Sequence, residues 1–181
     1  MVYILLAEGF EEMEALVPAD LLRRAGIETA LVGLDAPVVT GGHGIAVKTD
    51  LLLEQADPAC TDMLVLPGGL GGVNTMAASP AAKAFIRGVY DMDRRIAAIC
   101  AAPTLLAQMG ILDGRSAVCY PGMEDKMSTA TVLPEQAVVV DGRIVTSRAA
   151  GTAYEFGFAL VELLSDFTKA EEIRNGICYR T

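Results

Sequence analysis

The chain has 181 residues, of which 52% are hydrophobic and 20% charged, and carries a formal net charge of -9. That length makes one domain spanning 1–181 the simplest reading, and that composition excludes a disordered chain or a coiled coil. The acidic balance, with no basic run to offset it, excludes nucleic acid and anionic membrane surfaces as partners.

The start, MVYILLAEGFEE, lacks the basic region of a signal peptide, and no later stretch reaches the roughly 18 apolar residues of a membrane helix. A cytoplasmic protein is therefore expected. Four cysteines, Cys60, Cys100, Cys119 and Cys178, stand without C-x-x-C spacing, which suits a reducing compartment. His43 is the single histidine, so no metal set is expected, nor any cofactor.

In chain order, Val2 to Ala7 reads as a buried strand, Glu11 to Ala25 as a helix closed by Gly26, and Ile27 to Leu34 as a second strand. Strands apolar throughout rather than alternating indicate a parallel sheet covered on both faces. Val38 to Leu53 reads as short strands joined by Gly41, Gly42 and Gly44, and Met63 to Leu66 as a buried strand closed by Pro67, Gly68 and Gly69. A helix over Ser79 to Met92 and a strand over Arg95 to Ile99 lead into Cys100. Pro103 opens a short helix through Met109, and Asp141-Gly142 predicts a hairpin within Val138 to Thr146. Thr152 and Glu155 have capping-box spacing ahead of a helix to about Leu164. The fold class is a doubly wound α/β domain.

Ligands of open α/β sheets bind beyond the carboxyl ends of the strands. Three such ends carry chemistry: Glu8-Gly9, Pro67-Gly68-Gly69 and Cys100-Ala101-Ala102. Cys100 has two readings, as a small apolar filler or as a nucleophile on a strand-to-helix elbow. In the second, the helix dipole lowers its pKa and raises its thiolate fraction. The N–H groups of Gly69 and Ala101 would then face a developing oxyanion.

Counting about 100° per residue along the first helix puts Met13, Leu16, Val17 and Leu21 on an apolar arc, with Glu14 at its rim. Glu14 is either a snorkelling surface residue or a carboxylate pointing into the cleft. Glu11 and Glu12 fall on the far side, as solvated first-turn charges. Asp20 and Arg24 fall within the arc, as a buried ion pair or as the polar centre of a dimer interface.

LPGG at 66–69, EEMEALVPAD at 11–20, AAICAAPTLLA at 97–107, DKM at 125–127 and TSRAAGTAYEF at 146–156 occur in an order and spacing that resembles the ThiJ/PfpI superfamily, closest to its DJ-one branch in bacterial form. The resemblance covers nearly the whole chain. It implies a flavodoxin-like sandwich with a mostly parallel central sheet and helices on both faces, assembled as a homodimer. It matches the family's elbow cysteine to Cys100, the glutamate that hydrogen-bonds it to Glu14, and the oxyanion donors to Gly69 and Ala101. A carboxyl that donates to sulfur must be protonated, so Glu14 would need a raised pKa. The family's dimer contacts map to Asp20, Arg24 and His43. Two departures stand out: Tyr120 occupies the place where many animal members carry a histidine, and Ala101 the place where the protease-like branch carries one.

The resemblance implies a cysteine-dependent enzyme acting on small reactive carbonyls, a cofactor-independent glyoxalase or deglycase with a stress-protective role. Cys100 and Glu14 would carry the chemistry, with Tyr120 and Gly68 lining the site. The alternative is a redox-sensing or chaperone-like stress protein in which Cys100 is oxidised to the sulfinic level. Peptidase chemistry is not expected, since no histidine follows Cys100.

Overall fold

The computed structural model describes residues 1–180. Its centre is a seven-stranded sheet formed by β1 (Val2–Leu6), β2 (Thr29–Gly33), β5 (Leu51–Leu52), β6 (Met63–Leu66), β7 (Arg95–Ile99), β10 (Val138–Asp141) and β11 (Ile144–Ser147). The order across the sheet is β10-β11-β7-β6-β1-β2-β5, parallel throughout except for the β10–β11 pair. The expected hairpin closes that edge, with Asp141 opposite Ile144. Two small pairs lie outside the main sheet: antiparallel β3 (Val38–Thr40) with β4 (Ala46–Lys48), and parallel β8 (Ser116–Ala117) with β9 (Thr131–Val132).

Successive side chains of a strand point to opposite faces, and β1 is apolar at every position because both of its faces are covered. Tyr3 and Leu5 pack into one core with Leu64, Leu66, Phe85, Ile86 and Leu105. That layer is built by α2 (Leu70–Ala78), α3 (Pro80–Asp91) and α4 (Ala102–Gln108). Val2, Ile4 and Leu6 enter a second core with Leu21, Leu22, Phe156 and Leu160. Its helices are α1 (Glu12–Arg24), α5 (Ala153–Leu164) and α6 (Phe167–Gly176). Each fully buried Leu, Ile or Phe contributes about 1.5–3 kcal/mol by leaving water, so neither face of the sheet can be left bare. This is a flavodoxin-like doubly wound sandwich.

The elements expected from the sequence are present with ends shifted by one or two residues, as helix fraying and edge pairing allow. Two helices lie where no element was expected. One is α2, whose sequence LGGVNTMAA carries two glycines, a composition of low helix propensity. Gly71 and Gly72 are there because the helix backbone runs against Gly9 and Phe10, where a side chain would collide. The other is α6, begun by Asp166, whose carboxylate accepts the Lys169 N–H at 2.8 Å.

Three local expectations are corrected. The capping box of α5 is absent: the Thr152 hydroxyl turns back to the Ala149 carbonyl at 2.8 Å, and Glu155 instead accepts the Tyr179 hydroxyl at 2.8 Å. The apolar arc of α1 was set in the wrong phase. Met13 is 48% exposed and Leu16 and Val17 only half-buried, while the inward face carries Glu12, Glu14, Ala15, Pro18, Ala19, Leu21 and Leu22. Asp20 and Arg24 consequently stand outside the core, as an exposed pair at 2.6 Å between Nε and Oδ2. Sheet and α5 claim one side of α1, and the Met13–Val17 side is only partly covered, Leu16 and Val17 packing at the edge of the core while Met13 stands in solvent. Among the described residues no helix is long and apolar enough to cross a membrane.

Candidate active site

The chain runs from β1 through α1 to β2 on one side of the sheet, then returns to place β6 and β7 on the other. Such a reversal opens a crevice at the carboxyl ends of the flanking strands. The turns after β1, β6 and β7 meet there, and they are the three strand ends singled out by their chemistry. Glu11 N–H donates to the Gly68 carbonyl at 3.0 Å, and Tyr120 N–H to the Cys100 carbonyl at 2.8 Å.

Cys100 follows β7 directly and adopts φ +66°, in the left-handed region. A side chain held there costs of order 1–3 kcal/mol, and such strain is retained where the surroundings impose it. The effect is to turn the thiol out of the strand and in front of α4. The N–H groups of Ala101 and Gly69 lie close enough to the sulfur to favour its anion, so the two amides expected to serve as oxyanion donors converge on the thiol.

Glu14 lies in the first turn of α1 and has no exposed surface. It belongs to the inward face and not to its rim. Its Oε2 accepts the Gly68 N–H at 2.8 Å. Oε1 is buried with no hydrogen-bond partner, and the carboxyl lies against the Cys100 side chain and the Ala150 amide. Gly68 is the spacer between them: a Cβ on it would lie 2.5 Å from Glu14 Oε2 and 2.7 Å from Cys100 Cβ. Gly69 has φ +83°, and a Cβ there would meet the Gly9 carbonyl at 2.5 Å. The PGG turn is thus required by close approach on both sides.

Glu11 is the N-cap of α1, its Oε2 accepting the Glu14 N–H at 2.8 Å, which fixes the first turn and the outset of the Glu14 side chain. Glu12 was expected to be solvated and is instead 5% exposed. It lies against the β3–β4 loop, accepting the His43 N–H at 2.8 Å on Oε1 and pairing with His43 Nδ1 at 2.8 Å on Oε2. Both roles were hidden because glutamate is not among the favoured N-cap residues and because periodicity cannot see a loop folding back over a helix.

Burial raises the Glu14 carboxyl from its ordinary value to about 7, opposed by the contacts with Cys100 and the Gly68 amide. Burial, then repulsion from the Glu14 carboxylate, pushes the Cys100 thiol up to about 12, against the donation of the Ala101 and Gly69 amides. The expectation of a thiol ionised by a helix dipole is therefore corrected. α4 is only seven residues long, and its dipole does not outweigh desolvation beside an acid. Burial drives both shifts and the Glu14 carboxylate adds to that of the thiol, so the site takes its first negative charge on Glu14 and opposes a second on Cys100.

A pocket of about 260 Å³ opens over the sulfur, lined by Leu70, Cys100, Ala101, Tyr120 and Met123. Leu70 and Met123 were not anticipated, although Leu70 directly follows the PGG turn. Gly68 lies behind the sulfur rather than in the lining. A larger cavity of about 590 Å³, between Leu34, Leu53 and Phe85, contains none of the site residues. Glu11, Glu12 and His43 form a cluster of three groups of metal-ligand type. Its best-placed atoms are already paired with one another, and we assign it no metal.

The Glu14 shift has a definite consequence for stability. Because its folded pKa lies above its unfolded one, the native state binds more protons between the ordinary value and about 7, and stability falls as pH rises through that window. Glu14→Gln abolishes this loss. In urea unfolding the variant is expected to gain on the wild type by up to about 3 kcal/mol on going from pH 5 to pH 8. A difference between the two proteins that is the same at both pH values would contradict the assignment.

The sequence profile of the DJ-1/PfpI family matches residues 1–163. The chain is 39% identical to protein dj-1beta of Drosophila melanogaster over 176 residues, covering 96% of this chain and 94% of the fly protein. It is 38% identical to a protein named a deglycase from Pyrococcus abyssi, over 90% of this chain and 98% of the relative. The crystal structure of Drosophila DJ-1beta superposes with a TM-score of 0.95 at 38% identity, covering 99% of this chain and 98% of that one. An elbow cysteine facing a buried glutamate, on a sandwich of this topology, accords with these likenesses: the chain belongs to the DJ-1/PfpI family.

Proposed function

We propose that the protein is a cysteine-dependent enzyme that converts small 2-oxoaldehydes into 2-hydroxy acids, a glyoxalase and deglycase-like activity with a protective role under carbonyl stress. The observation that carries this is the unpartnered Oε1 of buried Glu14 facing a strained elbow thiol. An acid with one free oxygen beside a sulfur that opens into a small pocket is suited to moving a proton between that sulfur and a bound carbonyl. Relatives from Pyrococcus abyssi and Pyrococcus horikoshii bear the name deglycase.

In the first step the Cys100 thiol adds across the aldehyde. The S–C bond forms, Glu14 takes the thiol proton, and the Gly69 and Ala101 amides carry the charge on the aldehyde oxygen until Glu14 returns the proton to it. In the second step the Glu14 carboxylate removes the hydrogen of the hemithioacetal carbon as a proton. The electron pair moves into an enediolate, Glu14 delivers the proton to the neighbouring carbon, and the hydroxyl proton of the former aldehyde carbon passes to the neighbouring oxygen, which leaves a thioester. The former aldehyde carbon is oxidised as the former ketone carbon is reduced, so no outside redox partner is consumed. Water then cleaves the resulting thioester, releasing the hydroxy acid and the thiol. Tyr120, where an imidazole stands in many relatives, lines the pocket, and this sequence of steps needs no imidazole.

A second reading, oxidation of Cys100 as a stress signal, is favoured by the two amides already pointing at the sulfur, since they would equally hold sulfinate oxygens. A related structure is described as oxidised DJ-1 of Toxoplasma gondii. The protein is further proposed to be a cytoplasmic homodimer, joined through the side of α1 that carries Met13, Val17, Asp20 and Arg24 and through the exposed His43 of the β3–β4 loop.

Two measurements test these readings. With methylglyoxal or glyoxal, lactate or glycolate formation should fall about 100-fold or more in both Cys100→Ser and Glu14→Gln, and unchanged turnover in either removes the mechanism. Light scattering on a sizing column should give twice the single-chain mass for the wild type and a single-chain mass for Val17→Glu. A single-chain mass for the wild type at all concentrations contradicts the dimer.

A further inference from the structure

Glu12 is a buried carboxylate that touches neither the sulfur nor its pocket, and its surroundings are built to hold it. Oε1 accepts two amides of the β3–β4 loop, His43 at 2.8 Å and Ile45 at 3.4 Å, while Oε2 pairs with the His43 ring. Gly41 leaves the space: a Cβ on it would fall directly onto the Glu12 carboxylate. Burial works against the charge of Glu12, but the hydrogen bonds from His43 and the loop amides prevail and hold its pKa below the usual carboxylate value. Against a permanent carboxylate the His43 imidazole is held above its ordinary pKa, first by the hydrogen bond and then by the charge of Glu12.

The same loop is fastened to the turn after β1 at three further points. Gly9 N–H donates to the Thr40 carbonyl at 2.8 Å, Gly42 N–H to the Phe10 carbonyl at 2.7 Å, and Thr40 N–H to Glu8 Oε2 at 3.0 Å. On its other side that turn presses on Gly68 and Gly69 and starts the helix that carries Glu14. The layers therefore run from the β3–β4 loop, through residues 8–12, to the Glu14–Cys100 pair. From the crevice side the first turn of α1 is held by Gly68 alone, whose N–H donates to Glu14 Oε2 and whose carbonyl accepts the Glu11 N–H. The Glu11 cap sets its rotation, and the Glu12 clasp holds its end against the loop.

We propose that Glu12, clasped by His43 over Gly41, is a positioning residue that sets the depth of the first turn of α1 and thereby holds the Glu14 carboxyl dry against Cys100. The proposal rests on the reading of Glu14 and Cys100 as the working pair. When the clasp is opened, water reaches Glu14 and its titration returns toward that of an ordinary carboxylate. The charged or titratable groups facing Glu14 are Glu11 and Cys100; those facing His43 are Glu11 and Glu12.

The test is the rate of Cys100 alkylation by iodoacetamide from pH 5 to pH 9, read by intact mass with no aldehyde present. Glu12→Ala should move the Glu14-linked inflection to lower pH by about half a unit or more, since desolvation is what holds it up. Glu12→Gln, which keeps an acceptor for the His43 and Ile45 amides, should restore most of that displacement. His43→Ala changes a side chain that is 71% exposed, and it should move the inflection in the same direction by less. A profile coincident with the wild type in Glu12→Ala, or in His43→Ala should the first variant fail to fold, overturns the proposal, whatever the loss of thermal stability. Failure of the enzymatic reading would show separately, as absence of turnover with 2-oxoaldehydes by a wild type whose inflection vanishes in Glu14→Gln as expected.

Discussion

The site is organised by a shortage of room for charge. A carboxyl and a thiol face each other at the closed end of a crevice with a single glycine between them. Burial raises the energy of both anions, and the Glu14 carboxylate raises that of the thiolate further, whereas the neutral thiol favours the carboxylate. The result is a pair that keeps one proton between two acids near neutral pH. A thiol that ionised freely would be a better nucleophile at rest, but it would stand beside an acid with no proton to move. A thiol whose proton has one nearby acceptor becomes nucleophilic as that proton leaves, and in the proposed reaction the proton stays at hand for the carbonyl oxygen. The Gly69 and Ala101 amides favour the anion wherever it forms, on sulfur or on oxygen.

The fold supplies what this pair needs. Reversal of the strand order beside β1 brings three turns to one point without a long loop. The left-handed φ at Cys100 aims the sulfur, the Glu11 cap orients Glu14, and the glycines of the PGG turn and of α2 let the backbones approach. Much of what looks like loop composition is contact geometry. Gly68, Gly69, Gly71 and Gly72 are places where a Cβ would strike a neighbouring segment, and the packing that results excludes water from Glu14.

Much of this was legible in the sequence, for identifiable reasons. Strands buried on both faces are apolar at every position, so the β1-α1-β2 opening and the β7 elbow were readable from residue type alone. Asp141-Gly142 named its own hairpin. The pairing of Cys100 with Glu14 was readable only once several motifs in order pointed to a family, because neither a lone cysteine nor a rim glutamate distinguishes itself from packing. What was not legible depended on contacts between distant segments. Apolar Met13, Leu16 and Val17 gave α1 a false inward face, since an apolar surface left uncovered within one chain looks the same in sequence as a core. Glu12 was misread for the converse reason: its partners, His43 and Ile45, lie some thirty residues away in a loop that folds back. The expected low pKa of Cys100 counts the dipole and a protonated Glu14 but not the burial of the thiol, which no local pattern displays. Helix α2 was missed because its glycines obey packing and not propensity.

The single-charge constraint is tested most directly by titrating the ultraviolet absorbance of the Cys100 thiolate, with Cys100→Ser subtracted, in the wild type and in Glu14→Gln. The account predicts that the wild-type sulfur ionises only at strongly alkaline pH, toward about 12, and that the variant, relieved of the facing carboxylate, ionises about one unit or more lower. Coincident titrations in the two proteins would show that Glu14 and Cys100 do not share a charge, and would contradict the account.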